Sequence, residues 1–156
     1  MKYLYVIISL ALISSCANIV APTGGPVDST APKDSTELTY PSSYHNLNFS
    51  DDHFELFFNE PVAVINLKAN LNSSPALKED LDVKVTKVKN KLYKATFTFN
   101  EDLTPNSTYI IQLGNSIVDL TQGNKAKNPT VVFSTGSYID SLELNKSNHF
   151  WSLLNL

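Results

Sequence analysis

The chain has 156 residues, a formal net charge of -3 and a pI near 5.5. That length suits one domain of ordinary size behind a leader, and not two. The lysines of the central region are interspersed with acidic, polar and apolar residues, and there is no arginine. Nucleic acid is therefore not an expected partner, and bidentate guanidinium recognition of phosphate or carboxylate is excluded.

The amino terminus carries Lys2, a mostly apolar run over residues 3–13, and small Ser14 and Ser15 ahead of Cys16, the sole cysteine. This order of charged, apolar and small residues is that of an export signal. The apolar run is about half of the roughly 20 residues that a membrane-crossing helix needs, so a transmembrane helix is rejected. An odd cysteine in an exported chain calls for an explanation other than packing. The tetrapeptide Ile13-Ser14-Ser15-Cys16 resembles a bacterial lipobox. The resemblance implies removal of residues 1–15 as a signal peptide, a diacylglyceryl group on the Cys16 sulfur and a further acyl chain, such as palmitate, on its new amino group. Two or more chains anchor stably, at about 0.8 kcal/mol per buried methylene. The lipid bilayer is thus the expected partner through Cys16, and the cell envelope, at the outer membrane, the expected location.

Residues 16–35 contain Pro22, Gly24, Gly25, Pro26 and Pro32 among small polar residues, with no apolar period. They read as a tether. From residue 36 to 137 the pattern changes to short period-2 runs separated by Asn, Asp, Pro and Gly, the signature of an all-β sandwich or barrel. The clearest strand covers residues 53–59, with Phe54, Leu56 and Phe58 on one face and His53 and Glu55 on the other. Leu81, Val83 and Val85 alternate with Asp82, Lys84 and Thr86; after a turn near Asn90, Tyr93, Ala95, Phe97 and Phe99 alternate with Lys94, Thr96 and Thr98. These two runs predict a hairpin. Tyr109, Ile111 and Leu113 form the next inward row, and Val131 and Phe133 the last before Gly136. Weaker strands are expected near residues 37–40, 47–49 and 63–67. The pattern predicts about seven strands in roughly 100 residues, the size of an Ig-like β-sandwich.

The remaining residues, 138–156, are too few for a second sandwich, yet Phe150, Trp151, Leu153, Leu154 and Leu156 crowd into them. They are expected to be the truncated start of a further module; the competing reading is a tail that covers an open strand edge.

The stretch Phe54-Glu55-Leu56-Phe57-Phe58-Asn59-Glu60-Pro61-Val62 resembles the apolar-x-apolar-x-Phe-x-Glu-Pro-Val run of the SbsA-type bacterial Ig-like domain. Downstream, Leu103-Thr104-Pro105-Asn106-Ser107-Thr108-Tyr109 is similar to that family's Leu-x-Pro-Asn-Thr-x-Tyr segment, Asp119 with Gly123-Asn124 to its Asp-x-x-Gly-Asn turn, and Phe133-Ser134-Thr135-Gly136 to its closing strand. Cys16 followed by Pro22-Thr23-Gly24-Gly25-Pro26 and Ala31-Pro32 also resembles the amino-terminal portion of larger envelope lipoproteins bearing this domain. The resemblance implies a non-enzymatic structural and binding module outside the cytoplasm, with no single assigned ligand. Each motif also has a structural reason. Tyr109 is placed to bury its ring while its hydroxyl bonds nearby backbone, as in a tyrosine corner. Pro105-Asn106 is turn chemistry, Pro61 ends a strand, and Gly123 permits positive φ.

No nucleophile elbow, zinc-binding helix motif, phosphate-cradling loop or Cys/His cluster is found, so an enzyme is not expected, and neither a cofactor nor a metal. The three histidines, His45, His53 and His149, lack ligand spacing. Asp51 and Asp52 lack the regular acidic spacing of a calcium loop and read as a solvated turn. A tripeptide resembling the acceptor signal of a bacterial periplasmic O-glycosylation system occurs at Asp28-Ser29-Thr30, Asp34-Ser35-Thr36 and Asp140-Ser141-Leu142, making Ser29, Ser35 and Ser141 candidate modification sites. So short a motif also recurs by chance. The functional expectation is a membrane-tethered adhesion, spacer or assembly module of the envelope. The alternative is an accessory module that binds an envelope protein or polysaccharide through loops near residues 59–66 or 117–128.

Overall fold

A computed structural model describes residues 25–42 and 46–140. Cys16 and its leader, His45, Ser141, His149 and the apolar residues 150–156 lie outside the described residues.

Eight strands and one helical turn follow each other in the order β1 (His53–Phe58), β2 (Val62–Val64), α1 (Leu67–Asn70), β3 (Asn72–Ser74), β4 (Asp82–Lys89), β5 (Leu92–Thr98), β6 (Thr108–Gln112), β7 (Ile117–Asp119) and β8 (Thr130–Ser134). They form two three-stranded antiparallel sheets, β1-β5-β4 and β3-β6-β8, and a separate antiparallel pair, β2-β7. The all-β sandwich expected from period-2 alternation is the architecture observed.

Alternation determines which face of each strand is inside. In β1, Phe54, Leu56 and Phe58 are buried while His53, Glu55 and Phe57 are half-buried. Phe54 lies opposite Phe97 of β5, their rings stacked with centroids 4.7 Å apart, and Leu56 lies opposite the small Ala95. On the second sheet Tyr109 stacks on its cross-strand partner Phe133 at 5.4 Å, and Ile111 faces Val131. The sheets meet through Phe99 and Phe133, 6.0 Å apart edge to face, with Phe49 4.2 Å from Phe133. These contacts make one aromatic core. Central β6 is buried on both faces from Thr108 to Ile111, where alternation alone marks only Tyr109 and Ile111. The Asp140 N–H, donating to the Thr108 hydroxyl at 2.8 Å, shows the chain returning over the outer side.

The expected hairpin is β4–β5, with the two-residue turn Asn90-Lys91 and Asn90 in the left-handed region at φ 40. A tight hairpin turn needs positive φ, which Asn tolerates better than most residues. Val83 and Val85 share the inner face with Phe97 and Ala95, yet each is 36% exposed, because β4 is the outermost strand of its sheet.

The weaker strands require correction. Residues 36–38 form a turn, flanked by single bridges from Asp34 to Phe58 and from Tyr40 to Glu55. Residues 47–49 form no strand; Asn48 and Phe49 donate to the carbonyls of Gly136 and Ser134, and Ser134 donates to Asn46. Of residues 63–67, Ala63 and Val64 belong to β2, Leu67 opens α1, and Ile65 and Asn66 lie in neither. In each case the backbone groups find partners without a continuous ladder. Conversely, β3 (Asn-Ser-Ser) and β7 lack a legible period because each is three residues long.

Candidate functional site

At the pole where β1 ends, the loops expected to present contacts are more closely tied than their polar composition suggests. Residues 117–128, expected as a loop, begin with the buried strand Ile117–Asp119. Val118 bridges back to Lys125, and the Ala126 N–H donates to the Ile117 carbonyl at 2.9 Å.

The cause is Asp119, a carboxylate only 3% exposed. Its Oδ1 accepts from the backbone N–H groups of Thr121, Gln122 and Gly123 at 2.8, 2.6 and 3.1 Å, and from the Thr121 hydroxyl at 3.0 Å. Its Oδ2 accepts from the Asn124 N–H at 2.9 Å. Burial by itself raises the carboxyl pKa; the donors from Gln122, Asn124, Gly123 and Thr121 outweigh it and hold the group well below the usual carboxylate range. Gly123, at φ 77, supplies the left-handed turn that brings its own N–H onto the carboxylate. Asp119 and the Gly123-Asn124 pair, separated from it by Leu120, Thr121 and Gln122, therefore close a loop around an internal anion. Glu60 is shifted the other way, raised by burial and by the nearby charges of Asp119 and Asp28.

The segment before the sandwich reaches this pole. The Asn124 amide donates to the Asp28 carbonyl at 2.9 Å, the Lys33 N–H to Asn59 Oδ1 at 2.9 Å, and the Asn59 N–H to the Lys33 carbonyl at 3.2 Å. Asp28 Oδ1 accepts from the Thr30 N–H at 2.9 Å, a closed turn that leaves Ser29 exposed and lowers the Asp28 carboxyl pKa. Ser35 is half-buried, and its N–H donates to the Phe57 carbonyl at 2.8 Å.

At the opposite pole, an open groove of about 350 Å³ is floored by Phe49 and Phe99 and rimmed by Asp51, Asp52, Glu101 and Asp102. Three of these carboxylates have protein partners. Asp51 accepts from the Tyr40 hydroxyl, a bond that, with burial and the charges of Asp51 and Glu55, pushes the Tyr40 phenol pKa up. Asp52 lies 2.8 Å from His53 Nδ1, which lowers its pKa. Glu101 accepts from the Lys78 and Glu79 N–H groups at 2.6 and 3.2 Å. Among the described residues no group of three or more His, Cys, Asp or Glu could hold a metal ion. On the outer face of the first sheet, Glu55 pairs with Lys94 at 2.6 Å.

Tyr109 and the Pro105-Asn106 turn take the structural roles anticipated for them, whereas Pro61, expected to end a strand, lies beyond the end of β1 at Phe58 and directly ahead of β2. Tyr109, 3% exposed, accepts the Thr104 N–H on its hydroxyl at 2.9 Å, closing a tyrosine corner across the Pro105-Asn106 turn. Asn106 lies at φ 52 within that turn. Sequence reasoning locates Asp119 by its motif but misses the carboxylate as the loop's anchor. The signal is the run of short polar residues and glycine behind it, whose N–H groups have no strand partner.

No curated protein and no solved structure matches the chain significantly. A family model described as a bacterial Ig-like domain matches residues 23–135, which takes in both sheets, the tyrosine corner and the Asp119 loop, and the chain belongs to that family.

Proposed function

We propose that this protein is a membrane-tethered, non-enzymatic lipoprotein whose Ig-like domain, of the SbsA type, acts as an adhesion, spacer or assembly module of a bacterial cell envelope, at the outer membrane. The observation that carries this reading is the order of segments: the lipobox-like Ile13-Ser14-Ser15-Cys16, a Pro- and Gly-rich stretch, then an Ig-like domain. The domain's most perturbed carboxylate, Asp119, and its motif tyrosine, Tyr109, are engaged in holding loops, which is the work of a scaffold. Among the described residues no helix is long and apolar enough to cross a membrane, so attachment in this reading rests on acyl chains at Cys16.

Fractionation of cells producing Cys16→Ser tests the anchor. The expected outcome is transfer of the protein from detergent-requiring membranes to the soluble fraction; retention in the membranes sinks the lipid anchor. Mass spectrometry of the same preparations checks sugar at Ser29, Ser35 and Ser141, with exposed Ser29 the favoured acceptor of the two described serines.

A further inference from the structure

Residues 83–94 hold five of the chain's 12 lysines and none of its 15 acidic residues. In sequence these lysines look dispersed, but strand pairing gathers Lys84, Lys87, Lys89, Lys91 and Lys94 onto the β4–β5 hairpin of an otherwise acidic molecule. Lys94 is matched by Glu55. Lys84, Lys87, Lys89 and Lys91 are exposed, and none has a carboxylate within ion-pair distance among the described residues.

The geometry sorts these charges around an edge. Lys84 pairs with Thr96 and so belongs to the outer face that carries Glu55. Lys87 pairs with Tyr93 on the inner-face row, its Nζ 6.0 Å from the Tyr93 ring centroid. A register shift between Lys87 and Lys89 leaves Val88 unpaired and 48% exposed. Lys91 sits in the turn. The charges thus flank both faces of the strand and its tip, over about 17 Å from Lys84 to Lys89 at roughly 3.4 Å per residue. Charge on a bare strand edge guards against edge-to-edge pairing, which accounts for the lysines of β4 but not for Lys91 in the turn.

We propose that this hairpin is a docking surface for an acidic, carboxylate-bearing polysaccharide that runs along the β4 edge. A flat anionic bilayer reaches one face of an edge at a time, whereas a flexible polymer follows both. Lysine ammonium groups act as point charges without a fixed fork, which suits carboxylates spaced irregularly along a chain. The acidic remainder of the molecule repels the same polymer and confines it to the hairpin. The proposal goes beyond the envelope role above and does not depend on the lipid anchor.

Binding of polygalacturonate to the full chain carrying Cys16→Ser, measured by calorimetry across ionic strengths, tests it. The wild-type hairpin is expected to bind at low salt, with affinity falling as salt rises. Combined Lys84→Gln, Lys87→Gln, Lys89→Gln and Lys91→Gln is expected to weaken binding about tenfold or more and flatten the salt dependence, with an unchanged circular dichroism spectrum. Lys33→Gln, Lys78→Gln, Lys125→Gln and Lys127→Gln together make the same change in net charge and should stay within about twofold. Lys91→Glu alone, in the exposed turn, gives the same direction of loss should the fourfold variant fold poorly. Absence of wild-type binding, equal loss in both fourfold variants, or tighter binding to phosphatidylglycerol vesicles than to the polymer overturns the proposal.

Discussion

Phe58 is fully buried at the end of β1, opposite Tyr93, on the same face as Phe54 and Leu56. Phe58→Ala leaves a hole that the surrounding aromatic packing cannot close, at an expected cost of about 3–5 kcal/mol in urea denaturation. A loss under about 1 kcal/mol would mean the core tolerates the hole. Gly114 fails by a different mechanism. It sits at φ 53, and a Cβ there would come within 2.7 Å of the Asn70 carbonyl oxygen at the end of α1. Gly114→Ala therefore meets both a left-handed backbone penalty of about 1–2 kcal/mol and a contact with rigid backbone, so its destabilisation should exceed that range. Equal stability of the two forms in the same denaturation assay would refute the steric account. Phe58 is legible from strand parity alone. Gly114 is not, because its constraint comes from α1, more than forty positions earlier in the chain, and no local pattern records such a meeting.

The Asp119 loop converts a local motif into a dependence on pH. Because the donors lower the folded pKa, the stability contributed by the ionised form is complete above the ordinary carboxylate range and drains away as pH falls below about 4. Glu60, raised by burial and by its acidic neighbours, has the opposite sign and softens the acid limb slightly. Asp119→Asn replaces one acceptor oxygen with a donor facing the Asn124 N–H, so it should be less stable at neutral pH and lose less between about pH 5 and pH 2 than the parent. Identical slopes in acid titrations of the two proteins would remove Asp119 as the source. Elements with a full period are readable in advance: β1, β5 and β8 show it and lie where alternation places them, while β6 keeps it only in its inward row of Tyr109 and Ile111. The pairings at residues 34–40 and 46–49, and the short β3 and β7, are not, since their hydrogen bonds are set by distant partners and their side chains carry no period. The basic hairpin is visible as composition, but its significance needs the register that puts Lys84 and Lys87 on opposite faces.

At the scale of the molecule, residues 33–35 meet β1 at its Phe58 end, where Lys33 and Asn59 exchange hydrogen bonds and Asp34 bridges Phe58. Tyr40 meets Glu55 midway along the same strand, toward its other end, so the segment from 34 to 40 runs antiparallel along β1. The chain leaves β8 at that second pole, where Thr135 lines the same groove as Asp51 and Asp52, and Asp140 is tied to Thr108. Tension applied between residues 33 and 140 is therefore directed along the strands, perpendicular to the hydrogen bonds that hold the segment to β1. Those bonds share such a load in shear, all stretching together, and do not break in succession as in an unzipping. Under such a load the bonds made by Lys33, Asp34, Ser35 and Tyr40 are the ones that carry the shear between the leading segment and β1.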